Sequence, residues 1–182
     1  MALGGQEHDA GLDAADLAAR VLAAVPASDA RAVAGALMPT IEVGSTEMPD
    51  VLAFLRDAPG LEFKLFVDAT AIDREAAQGL LEVVYVLRSI VNFGWRIVVK
   101  TAVDAAEPSM PTSAAVHAGA NWAEREIYDM FGVTFDGHPD LRRILMYPEF
   151  VGHPLRKTYP YQKRQPLTPE RDPLSNPWPK RN

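Results

Sequence analysis

The stretch LLEVVYVLRSIVNFGWRIVVKT, residues 80–101, decides the predicted fold. Its first part, residues 80–90, is an almost continuous apolar run with the length and composition of a buried strand. Its last part, residues 95–101, alternates between two sets of side chains, as expected for a second strand. The Asn-Phe-Gly sequence at residues 92–94 suits a tight turn whose glycine adopts a positive φ. The sequence therefore predicts two adjacent antiparallel strands.

Segments on the N-terminal side of this hairpin predict further strands and helices. EFKLFVDA, residues 62–69, has a period of two and predicts a half-buried strand with Phe63, Leu65 and Val67 on its inner face. A helix is predicted from its cap Asp13 to about Val25, with Leu17, Val21 and Leu22 on one stripe. A second helix, capped by Ser28, is predicted over residues 29–37. A strand over residues 40–43 and a helix from about Pro49 to Arg56 follow.

Together these elements predict an α+β fold, in which an antiparallel or mixed sheet has helices packed on one face and is followed by an extended C-terminal arm. We expect three segments along the chain. Residues 1–38 form an alanine-rich helical N-terminal segment, residues 39–146 form the α+β domain, and residues 147–182 form an extended, basic, proline-rich C-terminal arm.

The composition narrows the functional classes. The chain has 182 residues, 48% of them hydrophobic and 23% charged, which indicates a globular protein. Its longest apolar run, residues 80–91, contains Glu82 and Arg88, and the acidic N-terminus lacks the pattern of a secretory signal, so we expect neither a membrane span nor export. The absence of cysteine excludes disulfides and cysteine-ligated iron–sulfur clusters, so any redox role must act through partners.

Charge is divided unevenly along the chain. Residues 1–136 hold 20 acids and 9 Lys/Arg, whereas residues 137–182 hold 4 acids and 9 Lys/Arg. The basic part is rich in proline and cannot form helices or central strands of its own. It is either a solvated tail or an arm that becomes ordered along an acidic partner surface. A nucleic-acid arm that stacks bases on Tyr159, Tyr161 and Trp178 is disfavoured by the acidity of the whole chain.

Downstream of the hairpin, Thr112 or Ser113 can cap a helix that breaks near Gly119 and resumes from Asn121. Gly132 is its expected left-handed terminator. On a helical wheel, this segment has an apolar stripe that must face the sheet, formed by Ala123, Ile127, Met130 and Phe131.

The polar residues of this helix predict contacts on a second side. Arg125 and Asp129 are four residues apart and are expected to pair with each other. Trp122 lies beside Glu126 and Asp129, away from the apolar stripe, and is either exposed or covered by another segment. Glu124 lies at the edge of the stripe next to Tyr128.

Because a partly buried carboxylate is costly unless it is paired, we expect Glu124 to need a cationic partner. The available donors are Arg142, Arg143, Arg156 and Lys157. The hypothesis is a buried ion-pair network between the acids of the helix and these downstream cations.

The same region offers weak alternatives for catalysis. His138 and His153 could bind a metal ion together with Asp136, Asp140 or Glu149, as in a free-standing metallohydrolase. However, the two histidines are 15 residues apart, and each precedes a proline in a Gly-His-Pro turn. No nucleophile-elbow or phosphate-binding glycine motif occurs in the sequence.

A long contiguous motif gives a more specific indication. The run ANWAEREIYDMFGVTFDGHPDLRRILM, followed by GHPLRK and YP, resembles the signature of the C subunit, the 30 kDa-type subunit, of respiratory complex I. The resemblance covers residues 63–160 and is densest over residues 120–160. It departs from the family at Thr158, since the family usually reads LRKDYP, which puts in doubt any ion pair expected at that position.

The resemblance implies a structural role without catalysis in this chain. Complex I is the proton-translocating NADH:quinone oxidoreductase, and its 30 kDa-type subunit carries no cofactor, while FMN and iron–sulfur clusters lie in partner subunits. The resemblance implies a position in the hydrophilic arm, beside the quinone-site (D) subunit and near the B and I iron–sulfur subunits, peripheral to the inner membrane on its cytoplasmic side. An equivalent subunit of a related membrane-bound hydrogenase is the alternative.

We therefore expect no catalytic, cofactor-binding or metal-binding residues, and a set of structural and interface residues. These are Trp122, Glu124, Arg125, Glu126, Tyr128, Asp129, Phe131, Gly132, His138, Pro139, Asp140, Arg142, Arg143, His153, Pro154, Arg156 and Lys157.

Overall fold

The computed structural model describes residues 12–92, 94–160, 162 and 165, and shows a mixed sheet. The sheet order is β1-β2-β5-β4-β3, in which β2 and β5 are parallel and all other neighbours are antiparallel. The strands are β1 (Arg31–Ala32), β2 (Thr40–Glu42), β3 (Leu65–Asp73), β4 (Leu80–Arg88) and β5 (Arg96–Asp104).

In the described part of the chain, four helices and a second, two-stranded parallel sheet accompany this sheet. The helices α1, α2 and α4 contribute side chains to the same core as the sheet, so the predicted α+β class is confirmed. Among the residues described, no helix has both the length and the apolar character needed to cross a membrane. The elements are α1 (Ala14–Ala24), a 3₁₀ turn (Pro26–Ser28), α2 (Met48–Asp57), α3 (Glu75–Gln78), β6 (Ser109–Pro111), α4 (Ala120–Phe131) and β7 (Thr134–Asp136).

The predicted hairpin forms the centre of the sheet. β4 and β5 pair along their whole length, from Leu80 opposite Asp104 to Arg88 opposite Arg96. Gly94 in the turn has a φ of 98°, as predicted. Alternate side chains point into the core, namely Leu81, Val83, Tyr85 and Leu87 from β4 and Ile97, Val99, Thr101 and Val103 from β5.

The outer face of the sheet carries ion pairs. Lys100 Nζ lies 3.0 Å from Glu82 Oε1 and 3.4 Å from Glu42 Oε2, and Arg74 binds the other oxygen of Glu82 at 3.0 Å. These pairs occupy positions that alternate with the buried ones, as expected for a strand with one open face. The helices α1, α2 and α4 pack on the opposite, apolar face.

The N-terminal segment corrects two predictions. α1 begins after its predicted cap, since Asp13 accepts a hydrogen bond from the Ala15 amide, and Leu17 is buried as predicted. Leu22, however, is 41% exposed and is not part of the buried stripe. The predicted helix over 29–37 is wrong, because Asp29 has a left-handed φ of 49° and the next residues form the short strand β1.

The strand predicted over 62–69 is shifted and its buried face is different. β3 begins at Leu65, and its register slips between Phe66 and Asp68. Such a bulge inserts one residue and exchanges the faces of the strand beyond it. Leu65, which precedes the bulge and lies opposite Arg88, and Val67 in the bulge are exposed, while Ala69, Ala71 and Asp73 beyond it point inward. Of the three residues predicted on the inner face, only Phe63 is buried, just before the strand.

The segment before α4 is not helical. Residues 113–119 form turns in which Ser113 O accepts hydrogen bonds from the amides of Val116 and His117. α4 starts at Ala120, with Gly119 as its N-cap, and ends at Gly132, whose φ of 82° is the predicted left-handed conformation. This leaves the Thr112 and Ser113 polar groups available to α4.

Candidate functional site

The helix α4 is buried on two sides. Ile127, Met130 and Phe131 pack into the core, as the apolar stripe predicts. On the other side Arg125 and Asp129 are also buried, because the segment 140–146 passes over them. The helix therefore joins the sheet to the chain that follows it.

Glu124 is fully buried and its partners are neutral groups. Its Oε1 accepts hydrogen bonds from the Tyr85 hydroxyl at 3.0 Å and the Ser113 amide at 2.7 Å, and its Oε2 accepts one from the Thr112 hydroxyl. Burial raises the pKa of Glu124, and these hydrogen bonds offset the rise only in part. The prediction that Glu124 pairs with a downstream arginine is wrong, since neighbouring donors from β4 and the β6–α4 loop reach it first.

His138 closes the same cluster from the turn after β7. Its Nδ1 accepts a hydrogen bond from the Asp140 amide, so the ring proton lies on Nε2, which is 3.1 Å from Asn121 O. Nε2 is also 3.9 Å from Glu124 Oε2, and neither side chain is exposed. The histidine therefore fixes the start of α4 against the turn.

The carboxylate of Asp129 is surrounded by residues 143–146, which follow α4 and β7 in the chain. Its Oδ1 accepts a hydrogen bond from Arg143 at 2.7 Å, and its Oδ2 accepts from the amides of Ile144, Leu145 and Met146 at 2.8–3.0 Å. Burial alone would raise the pKa of Asp129, but these hydrogen bonds outweigh it and hold the pKa below its ordinary range. An ionised Asp129 thus fixes an irregular backbone segment that has no secondary structure.

Arg125 does not pair with Asp129 as the helical spacing predicts. Its Nε donates to Arg142 O at 3.1 Å, its NH1 lies 3.9 Å from Asp140, and its guanidinium lies 5.2 Å from the centre of the Trp122 ring. The downstream segment competes for Asp129, and it supplies four donors where Arg125 would supply one or two. Arg142 itself pairs with Asp140 at 2.9 Å.

The C-terminal arm continues across the end of α4. Leu155 N donates to Met130 O, and His153 Nδ1 lies 3.0 Å from Asp129 O. Arg156 donates to Phe131 O at 3.2 Å and to Ala105 O at 2.6 Å. The bonds to Asp129, Met130 and Phe131 satisfy carbonyls at the end of α4 that have no partner within the helix, and the bond to Ala105 joins Arg156 to the residue that follows β5.

The arm also reaches α3. Arg156 is 3.1 Å from Glu75 Oε2, which also accepts a hydrogen bond from the Thr158 hydroxyl at 3.2 Å. The Lys157 amide donates to Asp73 Oδ2 at 2.7 Å. An aspartate at position 158, as the family usually has, would place its carboxylate against that of Glu75. The threonine of this chain avoids this repulsion and donates a hydrogen bond to Glu75.

The remaining predicted site residues lie around this cluster. Tyr128 packs edge-on against His153 and is half-buried, and Phe131 is buried. Trp122, Glu126, Pro139 and Lys157 are exposed, and Pro154 is half-buried. Whether the exposed members form an interface stays a prediction.

Gly132 is needed for the contact between α4 and the arm. A Cβ at this position would lie 2.7 Å from His153 Cδ2, and the φ of 82° already disfavours any other residue. We predict that Gly132→Ala lowers the free energy of unfolding by about 2–3 kcal/mol, measured by urea denaturation. Gly35→Ala is the matched control, because Gly35 has a φ of 72° and no atom near its Cβ. Equal costs for the two variants would show that the His153 contact does not matter.

The arrangement supports binding of chain segments to one another. Within the described part of the chain, no group of three or more His, Asp or Glu could hold a metal ion. The rings of His138 and His153 bind backbone atoms at opposite ends of α4. Ser109 binds Asp136 at 3.0 Å.

Comparison with a family model shows to which protein family the chain belongs. The model described as "Respiratory-chain NADH dehydrogenase, 30 Kd subunit" matches residues 41–165, which include the whole cluster from Asp73 to Thr158. The chain belongs to this 30 Kd subunit family.

Relatives within the 30 Kd subunit family are similar over most of the chain. The C subunit of the NADH-quinone oxidoreductase of Methylorubrum extorquens (strain PA1) is 39% identical over 158 residues, which cover 78% of this chain and 71% of the relative. That of Geobacter sulfurreducens (strain ATCC 51573 / DSM 12127 / PCA) is 44% identical over 135 residues, which cover 74% and 78%.

Two solved structures are similar to this member of the 30 Kd subunit family. A chain of the membrane-bound sulfane sulfur reductase, an archaeal respiratory membrane complex, has a TM-score of 0.64 at 25% identity, and the match covers 86% of this chain and 96% of that one. The trypsin-resistant fragment (1–134) of Nqo5 has a TM-score of 0.51 at 27% identity, and the match covers 69% and 99%.

Sequence reasoning missed several residues of the cluster. Tyr85 and Thr112 bind Glu124, and Asp73 and Glu75 bind the arm. Tyr85 had a usable signal, because a tyrosine at an inward position of a buried strand needs a partner for its hydroxyl. Asp73 and Glu75 had none, since their partners are more than 80 residues away in the sequence.

Proposed function

We propose that this chain is a structural, non-catalytic subunit of the hydrophilic arm of proton-translocating NADH:quinone oxidoreductase, complex I. The observation that carries the proposal is the family match over residues 41–165. It agrees with a charged cluster whose members are engaged with one another and with the backbone. The assembly passes electrons from NADH through FMN and iron–sulfur clusters to quinone, and this chain supports that path by holding parts in place.

The cofactors are assigned to partner subunits. A chain without cysteine cannot supply the thiolates that iron–sulfur clusters need. The proposed neighbours are the quinone-site (D) subunit and the B and I iron–sulfur subunits, and the proposed location is peripheral to the inner membrane on its cytoplasmic side. The relatives, which are C subunits of NADH-quinone oxidoreductases, support these assignments.

The contacts of the charged cluster hold several segments of the chain against α4, and we call this arrangement the clamp. Glu124 joins α4 to β4 and to the β6–α4 loop, while Asp129 joins α4 to the segment 144–146. Arg156 then joins the end of α4 to α3. Asp129 thereby fixes the segment 144–146, and Glu75 binds Arg156 of the arm, so both are held on the domain before any partner binds, which lowers the entropy cost of assembly.

A second candidate is the equivalent subunit of a related membrane complex with another electron donor or acceptor. The similarity to a chain of the sulfane sulfur reductase, with a TM-score of 0.64, favours it. The clamp would serve equally well there, because its contacts join segments of this chain to one another.

Affinity purification of the full chain from solubilised membranes tests both candidates. We expect recovery of a large complex that contains flavin and iron–sulfur clusters and oxidises NADH with a quinone as acceptor. A complex with hydrogenase or sulfur-reducing activity and no NADH oxidation would establish the second candidate. Recovery of a lone monomer, or of stoichiometric metal with hydrolytic activity, would refute the structural role.

A further inference from the structure

Several large side chains stay exposed on α4 and on the segment that follows it. Trp122 is 62% exposed, Leu145 56% and Val151 59%, and Tyr147 is 39% exposed. Single exposed apolar residues are normal, but a continuous group of them marks an interaction site. We call this group, together with the half-buried Tyr128 and Phe150, the aromatic face, and define it as Trp122, Tyr128, Leu145, Tyr147, Phe150 and Val151.

Contacts through arginines connect the two ends of the aromatic face. Arg125 lies over the Trp122 ring and donates to Arg142 O. Arg142 and Arg143 then line a groove of about 510 Å³ together with Tyr128, Leu141, Met146 and Pro148.

Beyond the groove, aromatic rings continue the face. The Arg143 guanidinium lies 5.8 Å from the centre of the Phe150 ring. Phe150 contacts Tyr147 edge-on at 5.6 Å and stacks on Tyr159 at 5.9 Å. Gln165 binds both the backbone of Val151 and the Tyr159 hydroxyl, so this end of the face is also fixed.

The aromatic face is held in one conformation before anything binds to it. The Asp129 carboxylate accepts hydrogen bonds from the amides of Ile144, Leu145 and Met146, and these bonds support the backbone from which Leu145 points outward. A surface that is already ordered loses little entropy on association. Tryptophan, tyrosine and arginine are also the residues that contribute most to protein–protein binding.

Charge indicates the chemistry of the partner. The Arg142 side chain is 74% exposed, and its partner Asp140 is itself 47% exposed, so this rim of the groove remains accessible to a further anion. Residues 137–182 carry a net charge of +5. A complementary surface would have carboxylates opposite Arg142.

We propose that the aromatic face docks on a neighbouring protein subunit that presents aliphatic side chains to the groove and carboxylates to Arg142. This inference rests on the proposed function, because it requires that the chain is part of an assembly. It adds which surface of the chain is covered and by what kind of side chain.

Because the chain has no cysteine, single thiols report burial of chosen positions. Leu145→Cys tests the face, and Leu37→Cys is the control, since Leu37 is fully exposed on the loop between β1 and β2. Maleimide labelling of this chain is followed by mass spectrometry in the purified complex and in the isolated full chain. We expect assembly to slow labelling of Leu145→Cys at least about tenfold and to leave Leu37→Cys unchanged. Equal labelling of Leu145→Cys in both states would overturn the proposal.

Charge reversal tests the carboxylates of the partner. Arg142→Glu should lower incorporation into the complex at least about fivefold, while Arg96→Glu, on the exposed end of β5, should not. Normal incorporation of Arg142→Glu would refute the proposal that the partner places carboxylates opposite Arg142.

Anionic phospholipid vesicles should not protect the Leu145→Cys thiol of the isolated chain, and full protection by them would assign the face to a membrane instead. Failure to recover any complex would refute the proposed function, whereas a complex with a reactive Leu145→Cys would refute only this inference.

Discussion

The Asp129→Asn variant should unfold with a free energy about 3–5 kcal/mol lower than the unsubstituted chain. One carboxylate oxygen of Asp129 binds Arg143 and the other accepts three amides. An asparagine can accept at only one of these two sites, and its NH₂ group would face donors at the other. The result is either a half-buried Arg143 without its counter-charge or three unpaired amides.

Urea denaturation of the full chain measures this loss, and thermal unfolding should show a midpoint lower by about 6–20 °C, given the size of the chain. Glu126→Gln is the control, because Glu126 is an exposed acid on the same helix. We expect it to change stability by no more than about 0.5 kcal/mol. If the two variants were equally stable, Asp129 would not be fixing the segment 144–146.

The same carboxylate predicts a dependence on pH. The hydrogen bonds outweigh burial and lower the pKa of Asp129 below its ordinary value of 3.8. Its stabilisation is therefore complete above that value and is lost as the pH falls through the lower pKa of the folded state. The stability of Asp129→Asn should consequently fall less steeply on acidification below about pH 4 than that of the unsubstituted chain.

Removal of the Glu124 side chain should have a comparable effect, whereas removal of its charge should not. Glu124→Ala leaves the Tyr85 hydroxyl and the Ser113 amide without a partner in a fully buried site, and we expect a loss of about 3–5 kcal/mol. Glu124→Gln keeps the oxygen that accepts these two bonds. Its NH₂ group can donate to the Thr112 hydroxyl, so its cost should be only about 1 kcal/mol.

Urea denaturation of both variants, with Glu126→Ala as the exposed control, distinguishes neutral partners from an ion pair. A buried Glu–Arg pair would make Glu124→Gln nearly as damaging as Glu124→Ala, because the arginine would lose its counter-charge. Equal losses would therefore contradict the assignment of neutral donors.

Burial also raises the pKa of Glu124 above its ordinary value of 4.5, so stability falls as the pH rises from that value through the raised pKa. Glu124→Gln should remove this fall.

The local parts of the fold could be predicted from the sequence. The hairpin of β4 and β5 follows from alternation and a glycine turn, both of which are encoded in adjacent residues. The end of α4 at Gly132 follows in the same way. The predicted helix over 29–37 failed because its alanines favour a helix locally, while pairing of β1 with β2 determines the backbone. The bulge in β3 has no signature in the alternation that it interrupts.

The composition of the charged cluster could be predicted, but most of its pairing could not. The motif indicated that acids on α4 are bound by downstream residues, and Asp129 with Arg143 fits that hypothesis. Which acid binds which donor depends on how β4 and the β6–α4 loop approach the helix. Tyr85 lies 39 residues from Glu124 in the sequence, so its competition with the arginines becomes visible only in three dimensions.

Main-chain amides supply most of the bonds between Asp129 and the segment 144–146, and an amide also joins Lys157 to Asp73. Every amino acid except proline carries such a donor. Substitution can therefore alter the outward side chains at these positions while the path of the chain stays the same. The side chains that this surface presents can therefore change during evolution, one residue at a time, while Asp129 and Asp73 continue to hold the backbone beneath them.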